Sequence, residues 1–466
     1  MALPKVSLTT KIFIGLILGV LLGWFRPDWG IAMRPLSVLF LNLIKSIIAP
    51  LIFATLVIGI AGTGDIRQVG RIGFKVLIYF EIVTTFALFI GLAAVNLTKP
   101  GVGVSLAGVH KTDDKATLAD RASKLSAEAN DAVKRGDATT AAVKAAAAAD
   151  AAAQGLTAPE PPAKPQKFGD LIAHLAPASI LKAMAEGDVL QIVVFAVLFA
   201  LAVTSIGEKA RPVVVWCESL ADIMFRFTEF VMKFAPIGVG AAMANTIGHS
   251  GLGVLKNLGM LVGTLYGALV VFLLLVLLPV ALFFRVPLRD FFRAVRTPAT
   301  IAFATTSSES ALPKAMENME RLGVPRRIVG FVLPTGYSFN LDGTTLYLSL
   351  ASIFVAQAAG VNMSWGDQIT MLLVLMLTSK GVAGVPRASL VILLGTLASF
   401  HLPAEGVIVI LGVDELMDMA RTCVNVIGNC LATVVVARWE GAFRSSEWAA
   451  EEAELEQVTG QPAIVG

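Results

Sequence analysis

The sequence predicts an all-α polytopic membrane protein, and three observations carry that class. The 466 residues are 56% hydrophobic and only 15% charged, with a mean hydropathy of +0.76, against about 25% charged residues in a soluble domain. Runs such as Leu269 to Phe284 contain no charge at all, which no soluble surface accommodates. The basic residues gather in short stretches between the apolar runs, as the orientation rule for membrane helices requires. This composition excludes a nucleic-acid binder, a disordered chain and a collagen-like chain. Net charge is +3. Cys217, Cys423 and Cys430 all lie in apolar segments, with neither metal nor disulfide spacing, and read as small buried side chains.

Lys5 and Lys11 precede the first apolar run, Ile12 to Phe25, which ends at Arg26 rather than at a small-residue cleavage site; this is a retained first membrane helix. Segments 36 to 63, 73 to 98 and 189 to 206 are further spans, the last preceded by an amphipathic stretch, Phe168 to Ala185. Segments 213 to 244 and 254 to 284 exceed the roughly 20 residues that cross a bilayer, so they tilt or extend beyond it. Residues 101 to 167 differ sharply. They are rich in Ala, Asp and Lys, nearly neutral with nine basic and eight acidic residues, and end in a Pro-rich stretch. Two short polar helices broken near Gly136 and a stiff linker are expected there, as a surface insertion.

Orientation comes from Lys and Arg. Arg67, Arg71 and Lys75 mark one cytoplasmic loop, Lys209 and Arg211 a second, Arg285, Arg289, Arg293 and Arg296 a third, and Lys314, Arg321, Arg326 and Arg327 a fourth. The insertion then falls outside the cytoplasm. Residues 298 to 313, between the third and fourth loops, are too few for two crossings and predict a re-entrant hairpin with its tip at Thr305 to Ser310. Two short apolar arms, Ile369 to Leu377 and Leu390 to Phe400, flank Ser379 to Pro386 and predict a second hairpin from the opposite side. Irregular backbone at membrane depth requires a surrounding of protein or a water-filled cavity. Hairpins from both faces are the pattern of a transporter with inverted repeats.

Segment 328 to 359 is interrupted by Pro334-Thr335-Gly336-Tyr337-Ser338-Phe339-Asn340-Leu341-Asp342-Gly343-Thr344. Pro and Gly break the backbone ladder in mid-span. Asn340 and Asp342 add the oxygen ligands that suit Na⁺ or a proton relay, and a carboxylate inside a membrane is expensive enough to mark function. The last span, 407 to 437, carries Asp414, Asp418, Arg421, Thr422, Asn425 and Asn429. At about 100° per residue these occupy one arc roughly 100° wide, a polar stripe that must face the interior. A salt bridge between Asp418 and Arg421 explains that pair but not the Thr and two Asn that extend it. Arg421 offers a planar fork for a carboxylate, Asp418 suits an ammonium, and the serine-rich first hairpin tip offers N–H and hydroxyl groups to a second carboxylate. An acidic amino acid has all three groups.

Four motifs in this order resemble the dicarboxylate/amino acid:cation symporters, the family that includes glutamate and aspartate transporters. They are Ser307-Ser308-Glu309-Ser310-Ala311-Leu312-Pro313, the Pro334 to Thr344 stretch, Ala383-Gly384-Val385-Pro386, and Asp418-Met419-Ala420-Arg421-Thr422-Cys423-Val424-Asn425-Val426. The likeness spans nearly the whole chain except 101 to 167 and the C-terminal tail. It implies eight transmembrane helices plus two re-entrant hairpins, a homotrimer and an elevator-type mechanism. It also implies a division into scaffold helices 1–2 (1–72), transport-domain helix 3 (73–100), the extracytoplasmic insertion (101–167), scaffold helices 4–5 (168–250), a transport core (251–440) and a cytoplasmic tail (441–466). Ser307 and Ser308 would hold the substrate's main-chain carboxylate, Thr344 and Arg421 its side-chain carboxylate, and Asp418 its amino group with Thr422 and Asn425 assisting. The tip around Val385 would close over it. Asn340, Asp342, Asn425 and Asn429 stand at cation-coupling positions.

Two departures shift the expected coupling. Sodium-coupled members carry Asp at the position of Asn429, and Tyr and Thr where this chain has Phe80 and Val83. Both changes favour H⁺ over Na⁺, with no cofactor. Glu81 and Glu309 are further intramembrane carboxylates. The resemblance thus implies a symporter of glutamate or aspartate in the inner (plasma) membrane, both termini cytoplasmic, and not an enzyme. A C4-dicarboxylate symporter is the second reading, because bacterial members of that kind share Ser-Ser-Glu-Ser-Ala-Leu-Pro and Ser-Lys-Gly with this chain. An anion channel or a receptor is a third. His110, His174, His249 and His401 are scattered and form no catalytic or metal spacing. The resemblance supplies no role for Arg387.

Overall fold

The computed structural model describes residues 8–61, 66–104, 106, 123–124, 126–128, 177–186, 189–379, 388–400 and 402–444. The second hairpin tip with Val385 and Arg387, nearly all of the insertion and the tail beyond Arg444 lie outside the described residues. What is described is helical, with no strand. Among the described residues, five stretches are long and apolar enough to cross a membrane: Pro27–Ile58, Gly73–Thr98, Gln191–Ser250, Val254–Phe283 and Asp414–Trp439.

One group of helices is built on close backbone contact. Helices α1 (Leu8–Phe25), α2 (Pro27–Ala32), α3 (Arg34–Ala61), α6 (Val189–Ile206) and α7 (Arg211–Ser250) pack together; α4 is Ile66–Thr98 and α5 is Ile180–Glu186. Gly15, Gly19 and Gly23, one turn apart on α1, lie against the carbonyls of Pro236, Gly240 and Ala244 of α7. Small residues at this spacing let two membrane helices touch backbone to backbone, where lipid gives no hydrophobic drive.

The second group forms around α4. Helix α8 (Val254–Phe272) passes through a π-helical turn at Leu273–Leu277 into α9 (Leu278–Phe283). Then come α10 (Leu288–Thr305), α11 (Ser308–Arg321), α12 (Arg326–Phe339), α13 (Asp342–Ala358), α14 (Trp365–Thr378), α15 (Ala388–Ser399), α16 (Glu405–Leu411) and α17 (Asp414–Trp439). Helices α10 and α11 form a hairpin that packs on α12 and α17; α14 and α15 form a second, lying on α3, α6 and α13. Asn318 on α11 donates to the Ala294 carbonyl on α10 at 2.8 Å, fixing the first hairpin's register. Burial separates centre from rim: 83% of the apolar window of α17 is buried, against 28% for Gln191–Ser250. Helix α17 is therefore the axis of the second group.

One element differs from the sequence reading. The span 407 to 437 is not continuous; it breaks at Gly412–Val413 into α16 and α17. A side chain at Gly412 would collide with the Met243 methyl of α7, so the break lies where the two groups touch. It also makes Asp414 and Glu415 the first turn of α17, where the helix dipole favours carboxylates.

Candidate functional site

The site forms where α12 stops and α13 starts. Asn340 and Leu341 leave helical geometry, with φ of −129° and −100°. Two glycines let α17 approach this break. A Cβ on Gly343 would stand 2.5 Å from the Arg421 carbonyl, and one on Gly428 2.5 Å from Asp342 Oδ2.

Asn425 ties the two helices. Its Oδ1 accepts from the backbone N–H of Gly343 at 2.7 Å and of Thr344 at 3.3 Å. Its Nδ2 donates to Thr344 Oγ1 at 2.9 Å. These N–H groups open α13 and have no intrahelical acceptor, so Asn425 satisfies the start of α13 from another helix. The structure thus places Asn425 and Thr344 together and commits most of their capacity to each other.

A second cluster lies one turn along α17. Asn340 Nδ2 donates to Asp342 Oδ2 at 3.0 Å and to Asn429 Oδ1 at 3.1 Å, while Asn429 Nδ2 donates to the Asn340 carbonyl at 3.2 Å. All three residues are fully buried. Asn340 Oδ1 has no partner among the described residues, so one inward oxygen remains for a cation. Helix α4 packs along α13; its Phe80 and Val83 are buried without side-chain oxygen, while its buried Tyr79 and Thr84 hydroxyls have no hydrogen-bond partner among the described residues.

The charged centre occupies the first two turns of α17. Arg421 donates through Nε to Asp418 Oδ1 at 2.9 Å and through Nη1 to Asp414 Oδ1 at 3.0 Å. Thr422 Oγ1 donates to the same Asp418 oxygen at 3.0 Å. The guanidinium lies 4.2 Å from the centre of the Tyr347 ring on α13, a cation–π contact. Arg421 is 1% exposed and Asp414 0%. Arg421 Nη2 has no partner among the described residues. Two carboxylates share one guanidinium; with both ionised, the trio carries one net negative charge.

The first hairpin, whose tip carries the serine motif, packs on α17. Thr306 takes the left-handed conformation, φ 52°, and Ser307 caps α11 by accepting from the Ser310 N–H at 3.2 Å. Ser308 is buried, whereas Thr305, Glu309 and Ser310 are exposed. The structure therefore brings Asp418, Arg421, Thr422, Asn425, Thr344, Asn340, Asp342 and Asn429 to one region. It gives Ser307 a capping bond, and Val385 lies outside the described residues. Sequence reasoning missed two parts: Asp414 as the second partner of Arg421, two turns before it on the same face, and Tyr347 beneath the guanidinium. The seven-residue spacing announced the first; nothing in the pattern of α13 announced the second.

Interrupted helices and a hairpin converging on a small buried set of charges define a helical membrane transport protein. A family model, the sodium:dicarboxylate symporter family, matches residues 8–439, and the chain belongs to that family. It is 40% identical over 464 residues to a proton/sodium-glutamate symport protein of Bacillus subtilis (strain 168), covering 99% of each chain. It is 40% identical over 454 residues to a proton/glutamate-aspartate symporter of the same organism, covering 97% of this chain and all of the other. A C4-dicarboxylate transport protein of Laribacter hongkongensis is 41% identical over 446 residues, 96% of this chain and 92% of the other.

Proposed function

We propose that the protein is a secondary active symporter that moves glutamate or aspartate into the cell with protons. The observation that carries this reading is the Asp414–Arg421–Asp418 trio. Arg421 takes the substrate's side-chain carboxylate with help from Thr344, and Asp418 with Thr422 takes its ammonium. Ser308, Ser307 and the hairpin-tip N–H groups take the main-chain carboxylate. Asn425 holds the α13 start in register, and the tip around Val385 closes the site. Asn340, Asp342 and Asn429 form the coupling site, with Asn429 in place of a carboxylate favouring H⁺. Names of relatives that join protons to glutamate support the same reading.

The working cycle in this proposal is an elevator. The α1–α3, α6 and α7 group is the scaffold, and the group around α17 travels against it through eight membrane helices and two re-entrant hairpins. The second hairpin lies against α3 and α6, while Thr305, Glu309 and Ser310 of the first hairpin tip are exposed; this fits the end of the stroke that opens to the cytoplasm. Glu218, Asp222, Arg226, Glu229 and Lys233 are exposed along one side of α7, a charged stripe that fits contact with further copies in a homotrimer. The membrane is the inner (plasma) membrane, with both termini cytoplasmic.

The test is uptake into proteoliposomes with separate proton and sodium gradients. Glutamate or aspartate should accumulate under the proton gradient. Succinate uptake without competition by aspartate would instead support the C4-dicarboxylate reading, which the names of other relatives favour. Flux that follows only the substrate's own gradient would reject a symporter for a channel, and binding without uptake would support a receptor.

A further inference from the structure

The molecule has a strongly basic face that the transport site does not use. Helix α10 carries Arg289, Arg293 and Arg296 against a single acid, Asp290. All three arginines are exposed. Their spacing of four and then three residues places them on one side of the helix. Phe292, beside them, is 70% exposed. Arg285, Arg326 and Arg327 are exposed at the same end of the hairpin.

The chain leaves α17 into this face. Trp439 packs on Phe284, ring centres 6.2 Å apart, next to Arg285. Lys75 pairs with Glu440 at 2.5 Å and donates to the Trp439 carbonyl at 3.2 Å. The Arg444 N–H donates to the Gly323 carbonyl at 3.0 Å, between α11 and α12. The Asn318–Ala294 bond sets the antiparallel register, so Leu322 and Gly323, one turn on, stand beside Arg289. The described chain therefore ends beside the basic cluster.

The rest of the chain is acidic. Residues 445–466 contain Glu447, Glu451, Glu452, Glu454 and Glu456 and no Lys or Arg. Glu447, Glu451 and Glu454 repeat the four-then-three spacing of Arg289, Arg293 and Arg296. Trp448 and Leu455 are large apolar residues in the same stretch. Three residues from the Arg444 anchor reach at most about 10 Å, and Arg289 to Arg296 spans about 10 Å along the helix.

We infer that the segment 447–456 docks on the arginine face of α10, pairing Glu447, Glu451 and Glu454 with Arg289, Arg293 and Arg296. An exposed ion pair is individually weak. A tether of a few residues holds the partners at roughly millimolar effective concentration, so several such pairs act together. The contact joins the end of α17 to the first hairpin, the two elements that hold Arg421 and Ser308. The inference is independent of which substrate is carried.

The test uses the full chain with its three cysteines replaced and spin labels at Ala449→Cys and Thr297→Cys, in phosphatidylcholine nanodiscs. A short, narrow distance distribution is expected at low salt. It should broaden in about 1 M salt, where screening acts within ~3 Å, and in the Glu447→Gln/Glu451→Gln/Glu454→Gln variant. A broad distribution at low salt overturns the inference. So does a short distance that neither salt nor the Gln variant changes. Loss of the short distance when phosphatidylglycerol is added assigns the arginine face to the membrane and also overturns it. A variant with Gln at Glu452 and Glu456, off the matched spacing, should keep the short distance.

Discussion

Substitutions at Asn425 separate two roles that coincide in one side chain. Its three bonds, at 2.7, 3.3 and 2.9 Å, join α17 to the first turn of α13. Asn425→Ala strands the N–H groups of Gly343 and Thr344 in a buried place. Each of the two stranded donors costs about 1–3 kcal/mol, so the loss is about 2–6 kcal/mol. By the scaling of folded domains this lowers the melting midpoint by on the order of 5–10 °C. Asn425→Asp keeps both N–H acceptors at a helix N-terminus, where a carboxylate is favoured, and the Thr344 hydroxyl can turn to donate. The fold then survives. The added charge lies one turn from the trio's net negative charge and repels an acidic substrate. Melting of the purified protein, read beside aspartate binding by calorimetry, checks this. Asn425→Ala should lose both stability and binding; Asn425→Asp should lose binding alone. Equal melting in both variants and the parent would refute the tie between α13 and α17.

Arg421→Met removes the cation shared by Asp414 and Asp418 and should cost about 3–5 kcal/mol of stability; Arg421→Met/Asp414→Asn should recover part of the melting midpoint but none of the substrate binding, and no recovery would count against the Asp414 pairing. Asn429→Asp places a carboxylate beside Asn340 and Asp342, so aspartate uptake should gain a dependence on sodium that the parent lacks, read at fixed proton gradient. Lys75→Met exposes the nearly buried Glu440 carboxylate without its ammonium; it should destabilise more than Lys75→Met/Glu440→Gln, and a simple sum of the two single effects in a double-mutant cycle would sink the pairing. If succinate is carried at all, each molecule should enter with one more proton than aspartate does, because it lacks the ammonium that cancels one carboxylate; an equal proton-to-substrate ratio for the two would refute this.

The fold was legible where membrane physics is severe. Apolar length set α3, α4 and α6 to within a few residues outside their low-hydropathy ends, because a bilayer leaves few choices for an uncharged run. The first hairpin came from a conflict between two basic stretches and too few residues between them, and its tip falls at Thr306 as the motif places it. The break at Asn340 falls within the interrupted stretch Pro334 to Thr344, but α12 runs through Pro334 and Gly336 and stops only at Phe339. The break at Gly412 was not announced, because a single glycine in an apolar run carries no such information, and the Met243 methyl that leaves no room for a side chain there lies on a distant helix. The polar stripe of α17 gave the site's members but not their partners. Periodicity shows which face a residue shares, whereas the pairing of Arg421 with Asp414 rather than with substrate depends on rotamers and on the Tyr347 ring beneath the guanidinium.

The charges inside the molecule limit what it can carry. The trio holds one net negative charge, and a buried charge without a counterion is costly. An acidic amino acid has one net negative charge, since its ammonium cancels one carboxylate. In the proposed reading its ammonium takes the oxygen of Asp418 that Arg421 gives up when the fork turns to the side-chain carboxylate. The loaded site then differs from the empty one by one negative charge, and a single proton restores the empty state's charge. A plain dicarboxylate differs by two, and it leaves Asp418 facing no ammonium. Two protons are then needed for the same balance. In the proposed reading Asn429, neutral where a carboxylate would draw sodium, keeps that balance with protons. The same few charges would then set both the preference for an amino acid and the number of ions that travel with it.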